Sequence, residues 1–414
     1  MRRQTTLSGN HRPSVPGRIS GLTAVALIAL GAAVAQAFGR FTYGVLLPAV
    51  RDDLNISNTV AGSLGTSNVA AYLIGTIAVA WATSRFRLLQ VLRLGFVFSA
   101  SGLLLAAYSP TVVVLAVAQF LMGLGGACIW IPSPVIAADA MPPERRSIAI
   151  ALLSSGIGAG VVFSGQLSGF VRSTMGDDSW RTVYAIEAVI AVVVLLTTFA
   201  LIGHSQGQPS ARAGVGGFSA LRRMRGWLPL TMAYTSFGLM YLLVIGFLTT
   251  RLEDDKGWTG SQTSLAFTLL GVAMIFGGPV FVSLASRIGP RLAMAMAFGT
   301  WGVLAIAVLP GWTVPTFGMA IGFGLLFTAV PSIITLYVVT NTTADTFGPS
   351  FSAATLAFGV AQMAAPQLAG FIADLAGSFA PVFLLSSFLA FVGMVSALRL
   401  PEREPAVTSV PASA

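Results

Sequence analysis

The sequence predicts an all-α membrane protein, with twelve transmembrane helices arranged as two pseudo-symmetric six-helix bundles. Three observations lead there. Of 414 residues, 55% are hydrophobic and only 9% charged. A soluble domain carries roughly 25% charged residues, so this chain lacks the polar surface that water requires. Apolar stretches of about 19–28 residues recur along its whole length, each able to cross a hydrocarbon core of roughly 30 Å. The chain also echoes itself: Gln166-Leu167-Ser168-Gly169-Phe170 returns 201 residues later as Gln367-Leu368-Ala369-Gly370-Phe371. Fainter echoes keep nearly that offset, Ile131-Pro132-Ser133 with Val330-Pro331-Ser332 at 199 and Ser84-Arg85 with Ser286-Arg287 at 202.

The spans fall at residues 21–47, 60–82, 89–108, 111–138, 147–171 and 182–203 in the first half. Those of the second half fall at 227–249, 263–285, 291–309, 313–340, 350–373 and 379–398. Each is helical, because a lone apolar segment in lipid must satisfy its own backbone. The expected domains are an N-terminal tail (1–20), a six-helix bundle (21–203), a linker (204–226), a second bundle (227–398) and a C-terminal tail (399–414). The linker's Gly, Ser, Pro and Arg content reads as flexible chain. His11 in the tail and His204 in the linker read as solvent-exposed.

The tail's arginines, followed by Ala33-Val34-Ala35-Gln36-Ala37, imitate a secretory signal with its cleavage site. The apolar stretch behind them is too long for such a signal, so it is read as the first span.

Charge sets the orientation. Arg2, Arg3, Arg12, Arg18, Arg85, Arg87, Arg93, Arg145, Arg146, Arg212, Arg222, Arg223, Arg225, Arg287, Arg291, Arg399 and Arg403 lie on the side of the N-terminus. Only Arg51, Arg172, Arg181, Arg251 and Lys256 lie opposite, 17 cations against 5. The positive-inside bias places both termini in the cytoplasm, in a cell (inner) membrane. It also accounts for the net charge of +9 without a nucleic-acid partner.

Two six-helix repeats, a central cytoplasmic linker and short loops resemble the major facilitator superfamily over residues 20–400. Pro142-Pro143-Glu144-Arg145-Arg146-Ser147 resembles that family's loop between helices 4 and 5. Gly156-x-x-x-Gly160 followed by Ser164-Gly165 resembles its antiporter motif, with Val161 in place of a proline and Ser164 in place of a glycine. Phe38-Gly39-Arg40-Phe41-Thr42-Tyr43-Gly44 with Leu47-Pro48 resembles the YbfB/YjiJ-like bacterial subgroup. The resemblance implies alternating access by rocking of the halves. The loop between helices 2 and 3 departs from the family's Asp and following Gly. Those positions fall at Ser84 and Arg87, with Ser286 and Gly289 in the second half. The Arg that many proton-coupled members carry on helix 4 falls at Gln119.

Arg40 is the sharpest residue. A charge at the centre of a span costs about 2.5–3.5 kcal/mol on insertion scales, so it marks function or a pair. Gln36, Arg40 and Tyr43 are spaced i, i+4, i+7 and share a helix face. On that face Arg40 could bind an anionic substrate group. Alternatively it pairs with Glu187, at similar depth in the sixth span, or snorkels to the interface. Further cavity candidates are Asn68 and Tyr72 on the second span, and Gln119 with Gly123, Gly126 and Trp130 on the fourth. The seventh span offers Tyr234, Phe237 and Tyr241, the eleventh Thr355, Phe358 and Gln362. Such residues also serve simply to join helices.

For coupling and gating, Glu187, Asp139 and Arg145 are the candidates, with Asp374 also titratable. Asp139 reads as one member of a charge cluster with Arg145, Arg146 and the Arg85 loop. Pro132, Pro134 and Pro331 are kinks or hinges. Gly156, Gly158 and Gly160 are expected to admit a helix of the other half.

No span holds clustered His, Asp, Glu or Cys at catalytic or ligand spacing, and Cys128 is the single cysteine. An enzyme, a metal site or any bound cofactor is therefore not expected. A P-loop string and a ring of filter residues are likewise missing. The remaining classes are a secondary transporter and a membrane sensor or assembly subunit, which would bring a soluble domain. The expected protein is a monomeric secondary transporter. It takes a small organic anion or amphiphile, and protons are a possible coupling ion. Efflux of hydrophobic compounds or drugs by proton antiport is the alternative.

Overall fold

A computed structural model describes residues 20–83, 85–202 and 218–401. Twelve of its helices are long and apolar enough to cross a membrane. They are α1 (Gly21–Asp53), α2 (Asn58–Ala82), α3 (Leu88–Ala107), α4 (Val112–Asp139), α5 (Ile148–Met175) and α6 (Asp177–Leu201). The second set is α7 (Trp227–Ile245), α8 (Gly260–Ile288), α9 (Pro290–Ala307), α10 (Thr313–Asn341), α11 (Thr346–Ala376) and α12 (Ala380–Leu398). No strand occurs among the described residues.

Polar residues that flank the apolar runs start the helices. Ser57 and Thr111 accept the backbone N–H of Val60 and Val114, and Thr259 forms a capping box with Gln262. The loop between α8 and α9 turns on Gly289, whose φ of 85° suits glycine alone among common residues. Ser84, in the equivalent loop of the first half, lies outside the described residues, as do His11 and His204.

Several helices run beyond their apolar cores. The first continues past Leu47 to Asp53, and the fifth past Val171 to Met175, so Arg51 and Arg172 stand on final helical turns rather than in loops. The seventh span instead closes at Ile245, and a separate short helix, Leu248–Lys256, follows it. Inside the expected linker, Phe218–Arg223 is helical and buries Leu221. The proline echoes differ: Pro132 and Pro134 interrupt α4 after Trp130, whereas Pro331 sits within a continuous α10.

The 201-residue echo marks two equivalent crossings between halves. A Cβ on Gly169 of α5 would lie 2.9 Å from Ser264 of α8, and one on Gly370 of α11 would lie 2.0 Å from the Asn58 carbonyl of α2. Only backbone fits there, which is why small residues recur. The helix 5 glycines behave differently from expectation. Gly158 does meet Gly271 and Ile275 of the other half, but Gly156 meets Ala29 and Gly160 meets Ala33 and Ala37, all on α1. The i+2 spacing puts Gly158 on the opposite face from the other two.

Candidate functional site

Where α1 crosses the middle of the bundle, residues Ala33–Phe41 form a π-helix. Such wide turns are rare and concentrate at functional sites. Its last turn carries Arg40, half-buried against the interface between the halves. The guanidinium lies 4.6 Å above the Tyr72 ring, and its Nε donates a long hydrogen bond of 3.5 Å to Asn68 Oδ1. It also interacts with the Tyr241 hydroxyl across the cleft. Asn68 is held in turn, its Nδ2 donating to Gly39 O at 2.7 Å and to Gln119 O and Oε1 at 3.1 and 3.2 Å. Gln36 reaches the Tyr72 hydroxyl. Tyr43 donates to Ala61 O at 2.8 Å, tying α1 to α2.

Arg40, Asn68, Gln119 and Tyr43 border one cavity between the halves, closed on its far side by Leu242, Ile245, Phe247 and Pro366. The second half supplies an aromatic wall. Phe358 stacks with Tyr234 at 4.6 Å and lies parallel to Phe237 and Tyr241 at 5.9 and 6.3 Å. Gln362 donates to the Tyr241 hydroxyl. Phe327 of α10 adjoins Tyr241 and meets Phe41 edge-on at 5.5 Å. Phe327 had no distinguishing sequence signal, being one phenylalanine in an apolar span. Trp130 is half-buried at the break in α4 and packs against the core, with no ring or polar partner of its own among the described residues.

Two expected pairings do not form. Glu187 is fully buried, but it bonds to the Thr42 and Ser164 hydroxyls, each 2.7 Å away, and not to Arg40. Thr42 and Arg40, two residues apart, leave α1 in nearly opposite directions, so the carboxylate and the guanidinium lie on different sides of that helix. Asp139 and Arg145 are both exposed and make no ion pair among the described residues. Water already solvates these side chains, so pairing gains little.

At the end of the bundle that carries Arg51, polar contacts join the halves. Arg51 is bonded to Asp254, and Arg172 grips Glu253 with contacts of 2.9 and 2.8 Å. Asp374 accepts from Asn58 N, Thr59 N and the Thr59 hydroxyl at 3.0, 2.7 and 2.6 Å. Deeper in, Thr66 donates to Met363 O and Gln166 to Thr268. Hydropathy alone ends the first and fifth spans before Arg51 and Arg172; the longer helices carry both residues to the short helix Leu248–Lys256, which holds Glu253 and Asp254.

A central site enclosed by two equivalent six-helix halves and sealed at one end defines a polytopic secondary transporter. The chain belongs to the family described as "Uncharacterised MFS-type transporter YbfB", whose pattern matches residues 32–398. It is 23% identical over 377 residues to the cis,cis-muconate transport protein of Acinetobacter baylyi, covering 86% of this chain and 89% of that one. It is 24% identical over 278 residues to the gentisate transporter of Corynebacterium glutamicum, covering 64% and 62%. Among solved structures it resembles a D-xylose-proton symporter, with a TM-score of 0.72, 14% identity, and 92% and 98% of the two chains covered. The protein is thus a multi-pass membrane transporter of a small molecule, not an enzyme.

Proposed function

We propose that this transporter carries a small organic anion, bound through a carboxylate at Arg40. One observation carries the reading: Arg40 is a half-buried cation inside a span, with no carboxylate partner among the described residues. Leaving a charge unpaired there is costly, and a transported carboxylate would supply the missing partner. The aromatic wall opposite favours a flat, conjugated carbon frame. The two relatives named for muconate and gentisate agree in kind, since both molecules are conjugated carboxylates.

The arginine bias supports an orientation with the Arg51 end on the outer face of the cell membrane and the termini in the cytoplasm. With that end held together by ion pairs, alternating access requires the Arg51 end to part. One chain supplies both halves of the cleft, so the working unit is a monomer.

The test is ligand-induced thermal stabilisation of purified protein by cis,cis-muconate and gentisate. Both should stabilise the wild type, and Arg40→Ala should remove the effect while membrane insertion is retained. Equal stabilisation of wild type and variant would overturn the reading. A second reading, efflux of hydrophobic compounds, is favoured by the stacked wall of Tyr234, Phe237, Tyr241 and Phe358. It predicts stabilisation by neutral hydrophobic ligands that Arg40→Ala leaves intact.

A further inference from the structure

The hydrogen-bond donors at the centre of the cleft outnumber the acceptors that face them. A guanidinium carries five N–H donors and accepts nothing. Arg40 spends its Nε hydrogen on Asn68 Oδ1, and the Tyr72 ring offers it a π face rather than a lone pair. Opposite, on the second half, the Tyr241 hydroxyl accepts from the Gln362 side-chain amide and interacts with Arg40. Both neighbours donate, so the hydroxyl oxygen serves each of them as an acceptor. Its own O–H hydrogen finds no acceptor among the described residues. Tyr241 is only 2% exposed, so bulk water has little access to that hydrogen. A buried donor without an acceptor is costly and calls for an explanation in function.

The ring that carries this hydroxyl is fixed in place. Phe237 and Tyr241, one turn apart on α7, stack at 5.2 Å with their planes 24° apart. Phe358 of α11 lies nearly parallel to Tyr241 at 6.3 Å, and Phe327 of α10 packs against it at 5.2 Å. A hydroxyl on so restrained a ring is a preorganised donor. Asn68 restrains Arg40 in a similar way, its own amide nitrogen being held by Gly39 O and by Gln119. Each half thus sets one donor group against the same gap.

We propose that Tyr241 is a specificity-determining residue, whose hydroxyl donates to the carboxylate that Arg40 attracts. The proposal rests on the organic-anion reading of Arg40 and adds a second point of recognition to it. Arg40 supplies charge, which any anion satisfies. The Tyr241 hydroxyl requires an acceptor oxygen, and a carboxylate has lone pairs enough for both groups. A primary amide on the same carbon frame is turned away twice. It lacks the charge, and its NH2 group meets hydrogens on both Arg40 and Tyr241. A site with buried polar groups discriminates strongly when an analogue leaves them unpaired. Arg40 on α1 and Tyr241 on α7 belong to different halves, so one bound carboxylate also ties the halves together.

The experiment compares gentisate with gentisamide, its primary amide, by calorimetric titration of the full chain in lipid, with the weaker ligand read by competition. The wild type should prefer gentisate. Tyr241→Phe keeps the ring and its stacking but removes the O–H. Gentisate should then bind about tenfold more weakly, equivalent to about 1.4 kcal/mol, while gentisamide binding stays unchanged. In an Arg40→Ala background, Tyr241→Phe should alter the binding of neither ligand. Equal losses for the two ligands in Tyr241→Phe would make the hydroxyl a structural group only and overturn the proposal. Unchanged gentisate binding in that variant would overturn it too, and would leave the role of Arg40 standing. Gentisate binding indifferent to Arg40→Ala would instead overturn the anion reading, and the proposal with it.

Discussion

Arg172 of α5 and Glu253, beyond the end of α7, form a two-pronged ion pair that spans the halves, with nitrogen–oxygen contacts of 2.9 and 2.8 Å. The Arg172 side chain is almost wholly buried and also holds Asp177 at 2.6 Å, while Glu253 accepts from Thr263 at 2.5 Å. Parallel contacts to a buried guanidinium are the strong kind of ion pair, unlike exposed ones.

Removing one partner of a buried pair costs about 3–5 kcal/mol. Arg172→Ala is therefore expected to shift the equilibrium toward an open Arg51 end by about a hundredfold or more, each factor of ten being about 1.4 kcal/mol. Spin labels at Asp178→Cys and Ser261→Cys, both exposed positions, report the separation of the halves there. An unchanged distance distribution would show that this pair does not hold the end shut.

Asp374 acts as a cap lent by one half to the other, since its carboxylate receives the first N–H groups of α2. Loss of a cap costs about 1 kcal/mol. Amide exchange at Asn58 and Thr59 should accelerate about fivefold in Asp374→Ala and hardly at all elsewhere in α2.

Gly123 allows α4 to touch α2, for a Cβ there would lie 2.1 Å from Asn68 O. Gly123→Ala must push the helices apart, at about 1–3 kcal/mol, and carries Asn68 away from Arg40. We expect a lower unfolding temperature together with weaker binding of cis,cis-muconate. Gly348→Ala is the control, because nothing lies within 4 Å of its added Cβ.

Phe358→Ala separates ring recognition from charge recognition. An aromatic contact is worth about 0.5–1.5 kcal/mol, so gentisate binding should fall about two- to tenfold. Succinate, which has no ring, should lose much less. Equal losses for the two ligands would remove the aromatic wall from the site.

The helices were legible because hydropathy and helix length follow directly from the thickness of a bilayer, and Asn68 and Arg40 from the cost of polarity there. Pairings were harder to read. Spacing placed Glu187 at Arg40's depth, but depth says nothing about which side of α1 a group occupies. Two of the departures from the family pattern, Ser164 and Gln119, carried more information than their positions alone revealed. One bonds to Glu187, and the other accepts from Asn68. The latch of Arg51, Arg172, Glu253 and Asp254 was hidden because charged final turns look like loops in a hydropathy profile.

The π-helix of α1 has one further consequence. Its wide turn ends at Phe41, between Arg40 on one face and Thr42 on the other. A π turn holds one residue more than an α turn, so relaxing it to α geometry rolls the preceding segment by roughly 100° against the following one. The same backbone change would swing Arg40 within the cleft and reset the contact of Thr42 with Glu187. A one-residue deletion between Ala33 and Gly39 closes the wide turn to α geometry without that roll, and so removes the segment's capacity to twist one flank against the other.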